Sequence, residues 1–364
     1  MTSDFINKRI PFLKYVFLTC LSACSFFAPS PLKAQIYNFK NFSVASNIPD
    51  TYIYAINQQD NGFLWISTGN GLARFDGFSF YPVVFPDSVY TRYSTVIFKD
   101  SSGRLWFGCN DGSLFYTENN DLVKFKELGI QSINQIFEND DECIVIIPQE
   151  KSIIKINIKN PENITKYYVP PEITMTSGLS SGDGTLILGT PEGLLLCSVV
   201  NDTVISSGAV EGIEYTKVQS LLRLKNSDIF LAGTEGSGLY IISFNNGKTS
   251  IKRPDNDLIP DNLDIRSVFE AGDRTLWIST FGSGLLNAKI NPEKSDIESA
   301  LFFDTSKGLQ SNDVKCAFED FEGNIWAGLY GEGISMLSSQ AFWFFAPGNT
   351  PEKNNIIYIA ENDS

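Results

Sequence analysis

Aromatic rings stand beside amides and carboxylates in two kinds of short, turn-like segment along this chain. Asn70, Asn110, Asp111, Glu192, Glu235, Phe281, Tyr330 and Glu332 belong to the first kind. Tyr90, Arg92, Tyr93, Asp261, Asn262, Asp264 and Asn312 belong to the second. Rings stack on the C–H faces of sugars, while carboxylates and amides pair with hydroxyls, so the two sets together suit a saccharide. Taken singly, each residue reads as an ordinary solvated turn residue; the case is for the face as a whole. The 364 residues include no histidine. That removes the commonest general base, every Ser-His-Asp or Cys-His nucleophile system and every His-containing metal site. Paired carboxylates stay open as an enzyme chemistry, and a retaining glycosidase would hold them about 5 Å apart. The turns Asp60–Gly62 and Asp320–Gly323 read as plain hairpin turns rather than metal sites. No catalytic residue, metal or cofactor is expected.

The formal charge of −14, with no Lys/Arg cluster to offset it, disfavours nucleic acid as a partner. Aromatics at 13% against only 19% charged residues exclude a disordered chain. Residues 1–34 read as an export signal. Lys8, Arg9 and Lys14 supply its basic start, Tyr15 to Phe27 its apolar stretch, and Ala34 a small residue for cleavage. "LSAC", Leu21 to Cys24, offers a rival reading as a lipoprotein signal acylated at Cys24. No later stretch approaches a membrane span. Cys109, Cys143, Cys197 and Cys316 lie far apart without a CxxC, so buried thiols are expected, with a Cys109–Cys143 bridge left open.

The segments that must position these residues repeat. The place held by Trp65 recurs at Trp106, Ile144, Ile187, Leu231, Trp277 and Trp326, at spacings of 38 to 49 residues. Spacing of this size is that of a four-stranded propeller blade. Each copy begins with a short apolar run ("YIYAINQ" at Tyr52, "VKCAFED" at Val314), passes a tight Asp/Gly turn, and enters the Trp run ("LWIS", "LWFG", "IWAG"). A Gly-containing turn, a third run and a more variable outer run follow. Runs of four to seven β-branched and aromatic residues are strands. The expected fold is therefore all-β, a seven-bladed propeller of four-stranded antiparallel blades over residues 35–340. Trp65, Trp106, Trp277 and Trp326 are expected as packing wedges between blades, not as catalysts. Residues Ile36 to Ser43 look like an outer strand lacking its own blade, and so are expected to close the ring on the last one. After residue 340 the pattern restarts, and 341–364 reads as the start of a further repeat.

"DNGFLWISTGNGLARFDG" at Asp60, "SSGRLWFGCNDGSLFY" at Ser101, "DRTLWISTFGSGL" at Asp273 and "FEGNIWAGLYGEGI" at Phe321 resemble the two-component regulator propeller family. The likeness runs over about residues 36–340 and is weak in the third copy, "ECIVIIPQEKSIIKI", which lacks Trp and both Gly residues. It implies a periplasmic ligand-sensing propeller of a Gram-negative hybrid two-component receptor, with membrane and kinase or DNA-binding parts beyond this chain. It also implies an oligosaccharide, or a partner domain, as the thing sensed. An exported propeller-type lyase or glycosidase and an exported interaction scaffold are the other readings.

Overall fold

The computed structural model describes residues 37–87, 92–139, 141–245, 248–255 and 257–338. The export segment expected over 1–34, Tyr90, and the repeat expected from 341 lie outside the described residues.

Short β-branched and aromatic runs punctuated by Gly and Asp form strands throughout. β1 is Phe39–Phe42. The first run holds β2–β5, at Ile53–Gln58, Leu64–Thr68, Gly71–Phe75 and Phe80–Val83. The second holds β6–β9, at Ser94–Lys99, Leu105–Cys109, Leu114–Glu118 and Asp121–Lys124. Next come β10–β13, at Ile133–Asn139, Cys143–Pro148, Ser152–Asn157 and Ile164–Tyr168. β14–β17 follow, at Ser177–Ser180, Leu186–Thr190, Gly193–Val200 and Thr203–Ala209. β18–β21 occupy Val218–Arg223, Ile229–Thr234, Leu239–Asn245 and Lys248–Lys252, and β22–β25 occupy Asp264–Glu270, Leu276–Phe281, Leu285–Asn291 and Asp296–Phe303. β26–β28 close the series at Val314–Glu319, Ile325–Leu329 and Ile334–Leu337. Neighbours within each run pair antiparallel in chain order. One parallel pair, Tyr168 with Thr203, joins β10–β13 and β14–β17 into an eight-stranded sheet.

The last sheet takes its fourth strand from the start of the chain. β1 pairs β28 antiparallel, with Phe39 opposite Leu337 and Phe42 opposite Ile334. Phe42 stacks on Trp326 with centroids 5.8 Å apart. The strand expected from Ile36 to Ser43 to close the ring is therefore present as β1.

First strands pack on first strands: β2 on β6, β6 on β10, β10 on β14, β14 on β18, β18 on β22, β22 on β26, and β26 back on β2. The result is a propeller-like ring. Its apolar clusters lie between neighbouring runs, as with Trp65, Leu72, Leu105 and Phe107, or Ile53, Ile66, Trp326 and Ile334. Sheets covered on both faces need strands that are apolar on both sides. β3, β7, β11, β15 and β27 are accordingly buried at every residue. All positions of the Trp series are buried, including Ile144 in the weak third copy. That copy substitutes isoleucines for the indole and keeps its four strands. Cys109, Cys143 and Cys197 are buried thiols and Cys316 is half-buried. All four are free, so the Cys109–Cys143 bridge is not formed.

Side chains at repeated positions lock the runs together. Asp100 Oδ2 accepts from the Trp106 indole at 2.8 Å, and Asp320 Oδ2 from Trp326 at 2.7 Å. The other oxygen of each carboxylate accepts backbone N–H groups of its own turn. At Trp65 the cap is Gln59 Oε1, at 3.2 Å. These turns are hairpins, as expected, but Asp100, Asp320 and, just before the Asp60 turn, Gln59 also cap a buried indole. A second set of bonds crosses between runs. Glu138 accepts from Ser101 N, Glu270 from Lys225 N, Glu319 from Gly272 N and Gln58 from Phe321 N, at 2.6–2.8 Å. Each acceptor sits at or next to the end of a first strand, and each donor opens the turn of the preceding run.

Candidate functional site

Six first strands carry a β-bulge at the same place. Pairing skips one residue between Ile53 and Ala55, Ser94 and Val96, Ile133 and Gln135, Val218 and Ser220, Ile265 and Ser267, and Val314 and Cys316. The residues skipped are Tyr54, Thr95, Asn134, Gln219, Arg266 and Lys315. A bulge leaves its extra residue out of the ladder and re-aims its side chain. Because first strands pack on first strands, these polar and aromatic groups stand round the middle of the ring. None of them was singled out from the sequence. The available signal was a polar or aromatic residue directly after a β-branched or small residue in the first two positions of these six strands.

Next to the bulges runs an arc of aromatic rings. Phe281, at the end of β23, meets Tyr330 edge-on at 6.1 Å, and Tyr330 meets Tyr52 edge-on at 5.3 Å. Phe281, Tyr330 and Tyr52 are 43%, 46% and 45% exposed, which is unusual for rings that already touch one another. Tyr54 stacks on Tyr93 at 4.9 Å. Burial first, then the neighbouring Tyr93 and Tyr330, pushes the Tyr54 phenol up to about 12, so it stays a neutral hydroxyl. The arc is held by backbone: Tyr52 and Tyr330 share an antiparallel bridge, and Gly282 N donates to Asp313 Oδ1 at 2.8 Å.

Cations gather at one end of the arc. The Arg266 guanidinium lies 5.1 Å from the centre of the Phe281 ring and bonds Asp264 Oδ2 at 2.5 Å. Its Nε and the other Asp264 oxygen are buried without a partner. Lys217 bonds Glu235 at 2.7 Å, and Gln219 donates to the same carboxylate oxygen at 2.7 Å. Burial pushes the Lys315 ammonium below its ordinary value; Arg266 and Lys217 push the same way, and Cys316 and Asp264 oppose them. Among the described residues no carboxylate lies within ion-pair distance of Lys315.

The structure sorts the residues expected from sequence into two groups. Phe281, Tyr330, Tyr93, Asp264 and Glu235 join the arc or its cations. Several others hold the scaffold. Arg92 is only 6% exposed and is clamped between Asp87 and Asp111, under the rings of Phe85 and Phe115. Asn110 accepts from Tyr93 N at 3.0 Å, and Asn312 from Thr305 N at 3.0 Å. Asp261 pairs with Arg253 at 3.2 Å. Asn70, Glu192, Asn262 and Glu332 are exposed turn residues outside the arc. Among the described residues no cluster of three or more His, Cys, Asp or Glu could hold a metal ion, and no helix is long and apolar enough to cross a membrane.

No family model and no curated protein matches the chain. Solved structures do. The extracellular domain of BT3049 from B. thetaiotaomicron, assigned to a hybrid two component system, superposes with a TM-score of 0.67 at 20% identity, over 83% of this chain. The extracellular domain of BT4673 from the same organism gives 0.64 at 19% identity over 83%. This chain shares its fold with these extracellular domains. It covers 42% and 40% of their lengths. A catalytically inactive histidine-to-alanine variant of virginiamycin B lyase from Staphylococcus aureus, solved with quinupristin, also matches, with a TM-score of 0.62 at 14% identity over 83% of this chain and 99% of that one.

Proposed function

We propose that residues 35–340 form a seven-bladed propeller that serves as part of the extracytoplasmic sensor of a hybrid two-component receptor. Residues 1–34 direct its export to the periplasm of a Gram-negative cell, and signalling domains that act on its ligand state lie in a longer protein. The ligand is an oligosaccharide, bound on the face that carries Phe281, Tyr330 and Tyr52. The observation that carries this reading is the exposed aromatic arc, built on a fold shared with extracellular domains of hybrid two component systems. Rings with free faces beside hydroxyls and carboxylates offer sugar C–H stacking and hydroxyl pairing together.

The lyase reading is weaker. The matched lyase structure is inactive as a histidine-to-alanine variant, and the 364 residues of this chain carry no histidine.

Calorimetric titration against a panel of neutral and acidic oligosaccharides tests the proposal. Saturable binding is expected, weakened about tenfold or more by Phe281→Ala or Tyr330→Ala, since losing an aromatic contact of about 1.5 kcal/mol corresponds to that factor. Both rings are substantially exposed, so the variants keep the fold. Absence of binding to every saccharide tested would overturn the saccharide reading.

A further inference from the structure

We infer that the saccharide accepted at this face is acidic, its carboxylate or sulfate ester received by Lys315 with Arg266 beside it. This rests on the reading of the face as a saccharide site.

Three observations carry it. The first is the state of Lys315. Lys315 is half-buried and among the described residues no carboxylate stands within ion-pair reach of it, and proteins ordinarily pair a cation that is partly drawn out of water. Here it occupies the bulge of the last first strand, where its side chain leaves the ladder. The second is its surroundings. Arg266 stands at the bulge of β22, which packs on Lys315's own strand, and Lys217 adjoins β18 one strand further round; each already has its own carboxylate, Asp264 and Glu235. The local balance is therefore one uncompensated positive charge, in a chain whose net charge is −14. An acidic protein has carboxylates to spare, yet none stands within ion-pair reach of this lysine. The third is Arg266. Its Nη2 is taken by Asp264, but its Nε is buried with no acceptor. A buried donor without an acceptor is unfavourable until a ligand oxygen supplies one. The Arg266 guanidinium lies over the exposed Phe281 ring, and Lys315 stands on the first strand that packs against Arg266's own, so an anion held between them would hang from a sugar ring stacked on the arc.

The pattern also separates this site from its counterparts round the ring. At the equivalent bulges stand Tyr54, Thr95, Asn134 and Gln219, which are uncharged. An acidic group therefore has one preferred sector, between the last two runs.

Titration calorimetry with tetragalacturonate, a sulfated chondroitin disaccharide, a neutral galacto-oligosaccharide, and acetate and sulfate alone separates the possibilities. The wild-type protein is expected to bind one acidic saccharide at least about tenfold more tightly than the neutral one, the worth of one charge-assisted hydrogen bond. Binding of tetragalacturonate, whose only anions are carboxylates, identifies a carboxylate, and loss of the chondroitin disaccharide's binding on desulfation identifies a sulfate ester. Lys315→Met is expected to abolish that preference, and Lys315→Arg to retain it. Removing a half-buried cation that has no ion-pair partner among the described residues leaves the fold intact, and a thermal melt of each variant checks this. Equal affinity for neutral and acidic saccharides, or a preference that survives Lys315→Met, would overturn the inference and leave the saccharide reading intact. Acetate or sulfate binding as tightly as the saccharides would overturn it also. Failure of every saccharide overturns both.

Discussion

Trp106 and Trp326 are buried wedges whose indole N–H cannot reach water, and a buried donor left unpaired costs about 1–3 kcal/mol. Asp100 and Asp320 remove that cost while also closing their own turns. Asp100→Ala strands the indole and two turn N–H groups together, and should lower unfolding free energy by about 2–4 kcal/mol in urea titration. Asp60→Ala is the control. Asp60 lies one place beyond the capping position, which Gln59 fills, so its loss should cost less than about 1 kcal/mol. The wedge role of these tryptophans was legible in the sequence, because a large ring recurring without chemistry around it points to packing. Their caps were not, because Asp-x-x-Gly is already explained as a turn. Only the constant six-residue offset from Asp100 to Trp106, and from Asp320 to Trp326, hinted at a second role. The site residues divide in the same way. Phe281 and Tyr330 could be placed from turn position alone. Arg92, Asn110 and Asn312 have the right types in the right turns, but the backbone and the carboxylates around them claim their polar atoms.

At the scale of elements, what spaces the strands is the alternation of small and branched residues across each interface. Gly328 in β27 faces Ile53 in β2, and a Cβ added there would stand 2.6 Å from the Ile53 Cγ2 atom. Gly108 and Gly233 meet Ile133 and Ile265 in the same way. Gly328→Ala should therefore destabilise by about 1–3 kcal/mol, and Gly328→Ala with Ile53→Ala should recover part of that loss. Chemical denaturation of the single and double variants reads the coupling directly. The strands themselves were readable from composition and turn punctuation. The bulges were hidden because a strand with one extra residue has the same composition as one without it. Six of them fall at matching places, and so the groups round the middle of the ring come from strand residues rather than from the connectors that the sequence favoured.

The whole molecule depends on β1. Its sheet would otherwise end at β28 with an open edge and with one face of Trp326 uncovered. Phe42→Ala should cost about 2–4 kcal/mol, and hydrogen exchange should show the loss in the amides of β28 and β2 before those of β14 or β18. Architecture at this scale was the most legible part of the sequence, since seven copies of one spacing leave few alternatives to a ring. Charge placement was the least legible, because Lys315 and Arg266 are 49 residues apart and come together only where the first strands of two successive runs pack and bulge alike.

Phe39 and Leu337 sit directly across from each other in one ladder. The strand that enters the ring and the strand that leaves it are thus stitched along four residue pairs. Opposed tension on those two points would be borne by that short seam, which makes it a natural place for a pull from outside to be felt.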